Sequence, residues 1–243
     1  MYQSFYTASV GAAQYTNGLG ITANNLSNIN NYGYKSKRAS FADLIEYNLN
    51  DSEEAQTDLH SGVGTRIVRT SMSFEVGAFQ PTGSQLDYAI TRRNTFFVLQ
   101  DPETGDVTYS RNGHFHRAEQ EDGFYLMTDS GKYVLDVNGE RIRAESENGQ
   151  GTQENPQEIA LVTFENPSRL MSVGFNEYVP SDENAAAIPV QERALVGATL
   201  ESSDTDMAEE FTHVIEYQRA FSFAARMITT SDEIVSTINT LRS

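Results

Sequence analysis

Apolar side chains recur at steps of three and four at both ends of this chain. Near the start the positions are Phe5, Ala8, Ala12, Tyr15, Leu19, Thr22, Leu26 and Ile29. Near the end they are Val214, Tyr217, Phe221, Ala224, Ile228, Ser231, Val235 and Ile238. Steps of three and four gather side chains on one stripe of a helix, a seam made to pack against another helix. The spacing predicts a helix at each terminus. The first is expected to end in the run Asn24–Asn31, because Asn tolerates left-handed backbone and competes for local hydrogen bonds, with Gly33 as the stop. The second is expected to start at the caps offered by Ser203 and Asp206 and to run without Gly or Pro to Ser243. At about 1.5 Å per residue it would be roughly 55–60 Å long.

Between the helices the period changes. Runs rich in β-branched and aromatic residues predict strands at 65–70, 86–90, 96–100, 107–110, 114–117, 124–128, 133–136, 159–164 and 194–200. Turn signals separate them: Pro102 to Gly105, Asn112-Gly113, Asp122-Gly123, Asp129 to Gly131 and Asn138-Gly139. Residues 145–158 are polar and turn-rich and read as a surface loop. The pattern is α+β: a discontinuous, coiled-coil-like helical domain from both termini (1–34 and 204–243), an extended connector (35–80) and a mostly β outer domain (81–203).

Charge sharpens this picture. The formal net charge is −17, yet residues 1–34 contain no charged side chain. A helix whose polar groups are only Asn, Gln, Ser and Thr can be surrounded by protein without burying an ion. Gly11, Gly18 and Gly20 each cost it about 1 kcal/mol relative to Ala, so it is expected to order only on assembly. The acidic balance argues against nucleic acid and against anionic membrane surfaces. No run approaches a membrane span, and the N-terminus lacks a basic segment followed by an apolar one, so no direct membrane insertion and no cleaved signal are expected. With no cysteine, disulfides and thiol chemistry are excluded.

Candidate chemistry is thin. His114 and His116 alternate on one predicted strand and could share a zinc ion, but no third ligand is evident, and surface histidine is the plainer reading. His213 reads as an ordinary helix-face group. Carboxylates are abundant and no pair stands out. The chain has neither a Gly-x-Ser-x-Gly elbow nor a Walker loop, and Asp129 to Lys132 reads as a hairpin turn. No enzymatic activity, cofactor or metal is expected. Arg66, Arg69, Arg92 and Arg93 form the basic concentration of the middle, readable as edge protection or as ion-pair partners for an acidic neighbour.

Several segments resemble a known family. The run Ala23-Asn24-Asn25-Leu26-Ser27-Asn28-Ile29-Asn30-Asn31-Tyr32-Gly33-Tyr34-Lys35 is similar to the N-terminal signature of the bacterial flagellar rod and hook family, the axial proteins of the basal body. The segments 62–66, 77–83, 86–90 and 96–98 resemble further segments of the rod and hook subunits. Tyr109-Ser110-Arg111-Asn112-Gly113 with Phe115 matches a strand and turn of that family, and 210–221 and 228–233 resemble its closing helix. The length is similar to a rod subunit of the FlgG/FlgF type, hook subunits being usually longer.

The resemblance implies a structural subunit, not an enzyme. Its paired terminal helices would form the wall of a hollow, torque-transmitting shaft, with the β module outside. It would leave the cell through the flagellar type III export apparatus and assemble with itself and with other rod and hook proteins, outside the cytoplasmic membrane. The residues expected at the assembly interface are Phe5, Ala12, Tyr15, Leu19 and Leu26 with Val214, Phe221, Ile228, Val235 and Ile238. The alternative is an acidic β-rich binding module that merely dimerises through its terminal helices.

Overall fold

The structure, a computed structural model, describes residues 2–44, 46–48, 60–120, 122–144, 158–181, 186–190 and 194–242. The expected loop at 145–158 lies outside them except for its last residue. The chain forms two compact units. One joins Met1–Ser27, Lys37–Ser71 and Asp206–Ser243; the other joins Asn28–Ser36 and Met72–Thr205.

In the first unit, α1 (Tyr2–Ser27) packs along α2 (Met207–Arg242). The start of α2 is set by Asp206, whose carboxylate accepts the N–H groups of Ala208 (2.8 Å) and Glu209 (3.2 Å). Glu209 and Glu210 then sit in the first turn, where the helix dipole favours negative charge. Ser203, the other candidate cap, bonds Thr205 instead. The helices run antiparallel: Asn25 Nδ2 donates to Glu210 Oε1 at 2.7 Å, and Gly18 lies against the Tyr217 ring. A Cβ at Gly18 would come within 3.3 Å of both Tyr217 and Phe41, so this glycine permits the close approach that disfavours it as a helix former. Phe41 belongs to β1 (Lys37–Asp43), and its ring stands 5.9 Å from that of Tyr15 and 5.7 Å from that of Tyr217. Two short strands, β2 (Glu46–Asn48) and β3 (His60–Gly62), pair antiparallel, and β4 (Thr65–Met72) pairs with β1. Where the sequence predicts that α1 orders only on assembly, the structure shows it helical within one chain. The partner it needs is supplied in part by α2 and Phe41.

The second unit is built on antiparallel strands: β5 (Phe79–Pro81), β6 (Tyr88–Ile90), β7 (Thr95–Gln100), β8 (Val107–Ser110), β9 (Phe115–Gln120), β10 (Gly123–Thr128) and β11 (Tyr133–Val134). They are followed by β12 (Leu161–Thr163), β13 (Leu170–Gly174), β14 (Glu177–Pro180), β15 (Ile188–Pro189), β16 (Leu195–Gly197) and β17 (Thr199–Glu201). The main sheet runs β13-β14-β8-β7-β11-β10-β9, with β12 joining β7 to β15. β7 lies at its centre and is buried on both faces, which is why it reads as an unbroken apolar run. Phe97 and Leu99 point into a core with Phe115, Leu126 and Leu161, while Phe96 and Val98 point into another with Phe74, Phe164 and Tyr178.

Two details depart from the sequence expectation. The strand predicted at 194–200 is split at Ala198, whose φ of +53° turns the chain so that β16 pairs with β6 and β17 with β5. The hairpin β13–β14 has no glycine at the two central positions of its turn. Phe175 and Asn176 adopt φ of +51° and +58° there, a left-handed pair that the sequence does not advertise.

Candidate functional site

Several of the segments singled out by sequence converge on a buried polar cluster in the second unit. Glu201, at the end of β17, accepts from Lys35 Nζ (2.8 Å) and from Arg111 Nε (2.9 Å), and all three side chains are fully buried. Lys35 follows the Asn-rich turn. Arg111 follows β8 and spends its remaining donors on the carbonyls of Arg92, Thr95 and Ile90. Glu201 also accepts the N–H of Gly77 at 2.7 Å. Burial lowers the Lys35 ammonium pKa, partly offset by Glu201. Burial pushes Glu201 up, but Arg111 and Lys35 outweigh it and hold the carboxyl below its ordinary range.

The backbone around this cluster is equally specified. Gly33 N–H donates to Glu201 O (2.8 Å), Asp204 N–H to Tyr34 O (3.3 Å), and Ser36 N–H to the Asp204 carboxylate (2.6 Å). Burial raises Asp204, against the pull of that Ser36 N–H. Residues 33–36 and 201–204 thus lie strapped together. Gly33 has φ +66°, and a Cβ there would lie 2.6 Å from the Arg111 backbone; at Gly113 a Cβ would lie 1.7 Å from Tyr88 O. The Gly-Tyr-Lys and Ser-Arg-Asn-Gly runs are therefore one construction: glycines that let backbones touch, and cations that meet a carboxylate. Sequence reasoning read both runs as signatures but missed Lys35, Arg111 and Glu201 as partners. An isolated Lys and Arg beside required glycines was the available signal.

The first unit has its own polar pin. Asn25, 1% exposed, donates to Lys37 O (2.8 Å) and to Glu210, and accepts the Lys37 N–H (2.9 Å). It fastens β1 to both helices from the middle of the Asn-rich run.

The residues expected at an assembly interface fall into two groups. Ala12, Tyr15, Leu19, Leu26, Val214, Ile228 and Val235 are half-buried, while Phe5, Phe221 and Ile238 are exposed. Beside this seam α2 carries exposed apolar side chains that the heptad reading passed over: Phe211, Ile215, Phe223, Met227, Ile234 and Leu241. Leu241 is 83% exposed. Surfaces of this kind mark protein–protein contact.

The remaining candidates stay modest. His114 Nδ1 lies 3.0 Å from Asp129 Oδ2, and His116 Nδ1 lies 3.6 Å from Asp129 Oδ1, all three groups being substantially exposed. Among the described residues no group of three or more side chains could hold a metal ion. His213 stacks on Tyr217 beside Glu209 and Glu216. Arg93 makes a loose, exposed pair with Glu75 at 3.5 Å. Among the described residues no helix is long and apolar enough to cross a membrane.

The model of the flagellar basal body rod FlgEFG protein C-terminal region matches residues 197–241, which take in Glu201 and nearly all of α2. The flagellar basal-body rod protein FlgG of Bacillus subtilis is 28% identical over the whole of both chains. That of Borreliella burgdorferi is 31% identical, covering all of this chain and 99% of its own. The chain belongs to the flagellar basal-body rod protein FlgG family. The flagellar hook-basal body complex protein FlhP of Bacillus subtilis is also 28% identical over both full lengths. As a FlgG-family rod protein, the chain is a structural subunit of the flagellar basal-body rod in the periplasmic space, not an enzyme. Its family signature at 23–35 corresponds to the polar pin and cluster described above.

Proposed function

We propose that this FlgG-family subunit builds its part of the rod by helical self-assembly through the terminal helices, forming a hollow shaft that transmits torque. Residues 1–34 and 204–243 act as the assembly domain, 35–80 as the connector and 81–203 as the outer domain. Copies of the chain are the main partner; other rod and hook proteins meet it at the ends of its segment, and the export apparatus delivers it. A head-to-tail contact that does not close on itself yields a filament, not a ring. The observation that carries this reading is the mismatch between α2 and its surroundings. It leaves Phe211, Ile215, Phe221, Phe223, Met227, Ile234, Ile238 and Leu241 exposed, beside a first helix that has no charge on any face. Phe5, Ala12, Tyr15, Leu19 and Leu26 with Val214, Phe221, Ile228, Val235 and Ile238 form or border the stripe that assembly would complete.

The test uses the full chain. Concentrated wild-type protein should form tubes or fibres visible in negative stain. Phe221→Asp, at a site 42% exposed in the single chain, should keep the circular dichroism of the fold and lose the polymers, and cells carrying it should lose motility. Normal assembly and swimming by this variant would overturn the reading.

A further inference from the structure

A cavity of about 590 Å³ lies wholly within the second unit. The Asn-rich turn after α1 forms one wall. The turn after β8 and the β10–β11 turn form another, and the β13–β14 hairpin supplies floor and rim. The floor is fixed. Glu177, 3% exposed, accepts from Lys132 Nζ (2.6 Å), from Thr108 Oγ1 (3.0 Å) and from Ser130. Its charge is thereby neutralised and its position locked. Ser110 Oγ donates to Asn176 O, and Asn112 N–H donates to Ser110 Oγ, each at 3.0 Å.

The lining amides are only half used. Asn112 Oδ1 accepts the His114 N–H (3.1 Å), Asn176 Nδ2 donates to Tyr32 O (3.0 Å), and Asn31 Nδ2 donates to Asn28 Oδ1 (2.7 Å). Among the described residues the other atom of each amide has no partner. The cavity therefore offers a donor from Asn112 and acceptors from Asn31 and Asn176. Phe175 stands at the rim with its ring in solvent, 81% exposed. Its backbone holds φ +51°, where a bulky residue is strained and glycine is at ease. A strained residue whose side chain the fold leaves unused points to a use outside the fold.

The chemistry narrows the ligand. Among the described residues no Lys or Arg lines the cavity, while Asp129 and Glu177 do, so anions are repelled. Glu177 is already paired with Lys132, and Asp129 is faced by His114 and His116, so neither carboxylate waits for a cation. An apolar ligand would strand the open amide groups. What fits is a neutral molecule whose groups both donate and accept and which has one apolar face for the ring. We infer that this cavity binds a short neutral oligosaccharide. The Phe175 ring covers the C–H face of one pyranose, and Asn31, Asn112 and Asn176 bond its hydroxyl or acetamido groups. The inference is independent of the assembly reading above.

The test uses the full chain below the concentration at which it polymerises. It would be titrated with chitotriose and with cellotriose, which differ in their acetamido groups, and followed by saturation-transfer NMR and calorimetry. Millimolar or tighter binding of either sugar is expected, and the preferred one tells which groups the amides meet. Two variants then locate the sugar. Phe175→Gly relieves the backbone, so it should raise the thermal midpoint while weakening binding on the order of tenfold. Asn112→Asp keeps the acceptor for the His114 N–H and loses the open donor, so it should weaken binding on a similar scale with circular dichroism unchanged. Binding of neither sugar at millimolar concentration would overturn the inference, and so would full binding by both variants. Loss of polymers on Phe175→Gly in a chain that binds neither sugar would assign the ring to a protein contact, with the same result.

Discussion

The two units solve the burial problem in opposite ways. The second closes its interior: Phe96, Phe97, Leu99 and Arg111 have no exposed surface, and its buried cations Lys35 and Arg111 end on a carboxylate and on carbonyls. The first leaves its interior unfinished. It buries small and polar groups such as Asn25, Thr22 and Ser231, while Phe223 (63%) and Leu241 (83%) stand in solvent. A monomeric protein rarely exposes so many large apolar side chains on one helix. The difference is between a unit with a closed apolar core and one that leaves large apolar side chains along one helix in solvent.

Four perturbations separate the two, in order of expected size. Glu201→Ala strands Lys35 and Arg111 as unpaired buried cations. It should cost about 3–5 kcal/mol, read as a lowered denaturation midpoint of the full chain in urea. Replacement by Gln should be milder, because the amide oxygen still accepts one bond. Asn25→Ala removes three hydrogen bonds in the first unit and should cost about 1–3 kcal/mol. Its effect should be confined there: amide exchange should quicken in α1 and β1, while the central strand β7 stays protected.

Acid offers a third perturbation. The Glu201 carboxyl titrates lower folded than unfolded, so its contribution is present above its ordinary value of 4.5 and is lost as pH falls through the folded value. Asp204 works in the opposite sense, because burial raises it and folding there favours the protonated form. Wild-type stability should therefore fall more steeply than that of Glu201→Gln as pH drops below 4.5, and less steeply than that of Asp204→Asn, in which the opposing contribution is absent. Smallest for the single chain is Phe223→Ser. An exposed site should shift stability by only about 0.5 kcal/mol, measured by thermal melting, even though filament formation is lost. If Phe223→Ser instead unfolded the monomer, the contrast between a closed unit and an open one would fail.

How much was legible beforehand follows the same division. The heptad steps identified both helices because periodicity survives whatever a helix packs against. Turns at Gly105, Gly123, Gly131 and Gly139 were legible because positive φ selects glycine, and all four have it. The turn at Phe175-Asn176 and the kink at Ala198 were illegible for the same reason, since ordinary residues are held there by tertiary pairing. The strands β1, β13 and β14 escaped because they hold few β-branched residues, none in β1 and one valine in each of the other two. The charged cluster was hidden by distance along the chain: nothing local says that Lys35 belongs with Glu201. The exposed stripe of α2 was hidden for a different reason. Its repeat breaks between Met227 and Ile234, where Thr230 stands, so it lacks the regular three-and-four step of the seam beside it.

The strap between residues 33–36 and 201–204 has a consequence in time. Lys35 and Glu201 are 166 positions apart, so the bond that locks the start of the second unit involves nearly the last residue of that unit to be made. Closing a loop of that length is an entropic cost met only when the far end is present. Until then Lys35 has no carboxylate to neutralise it and stays in water. Completion of the fold is thereby tied to the arrival of the tail.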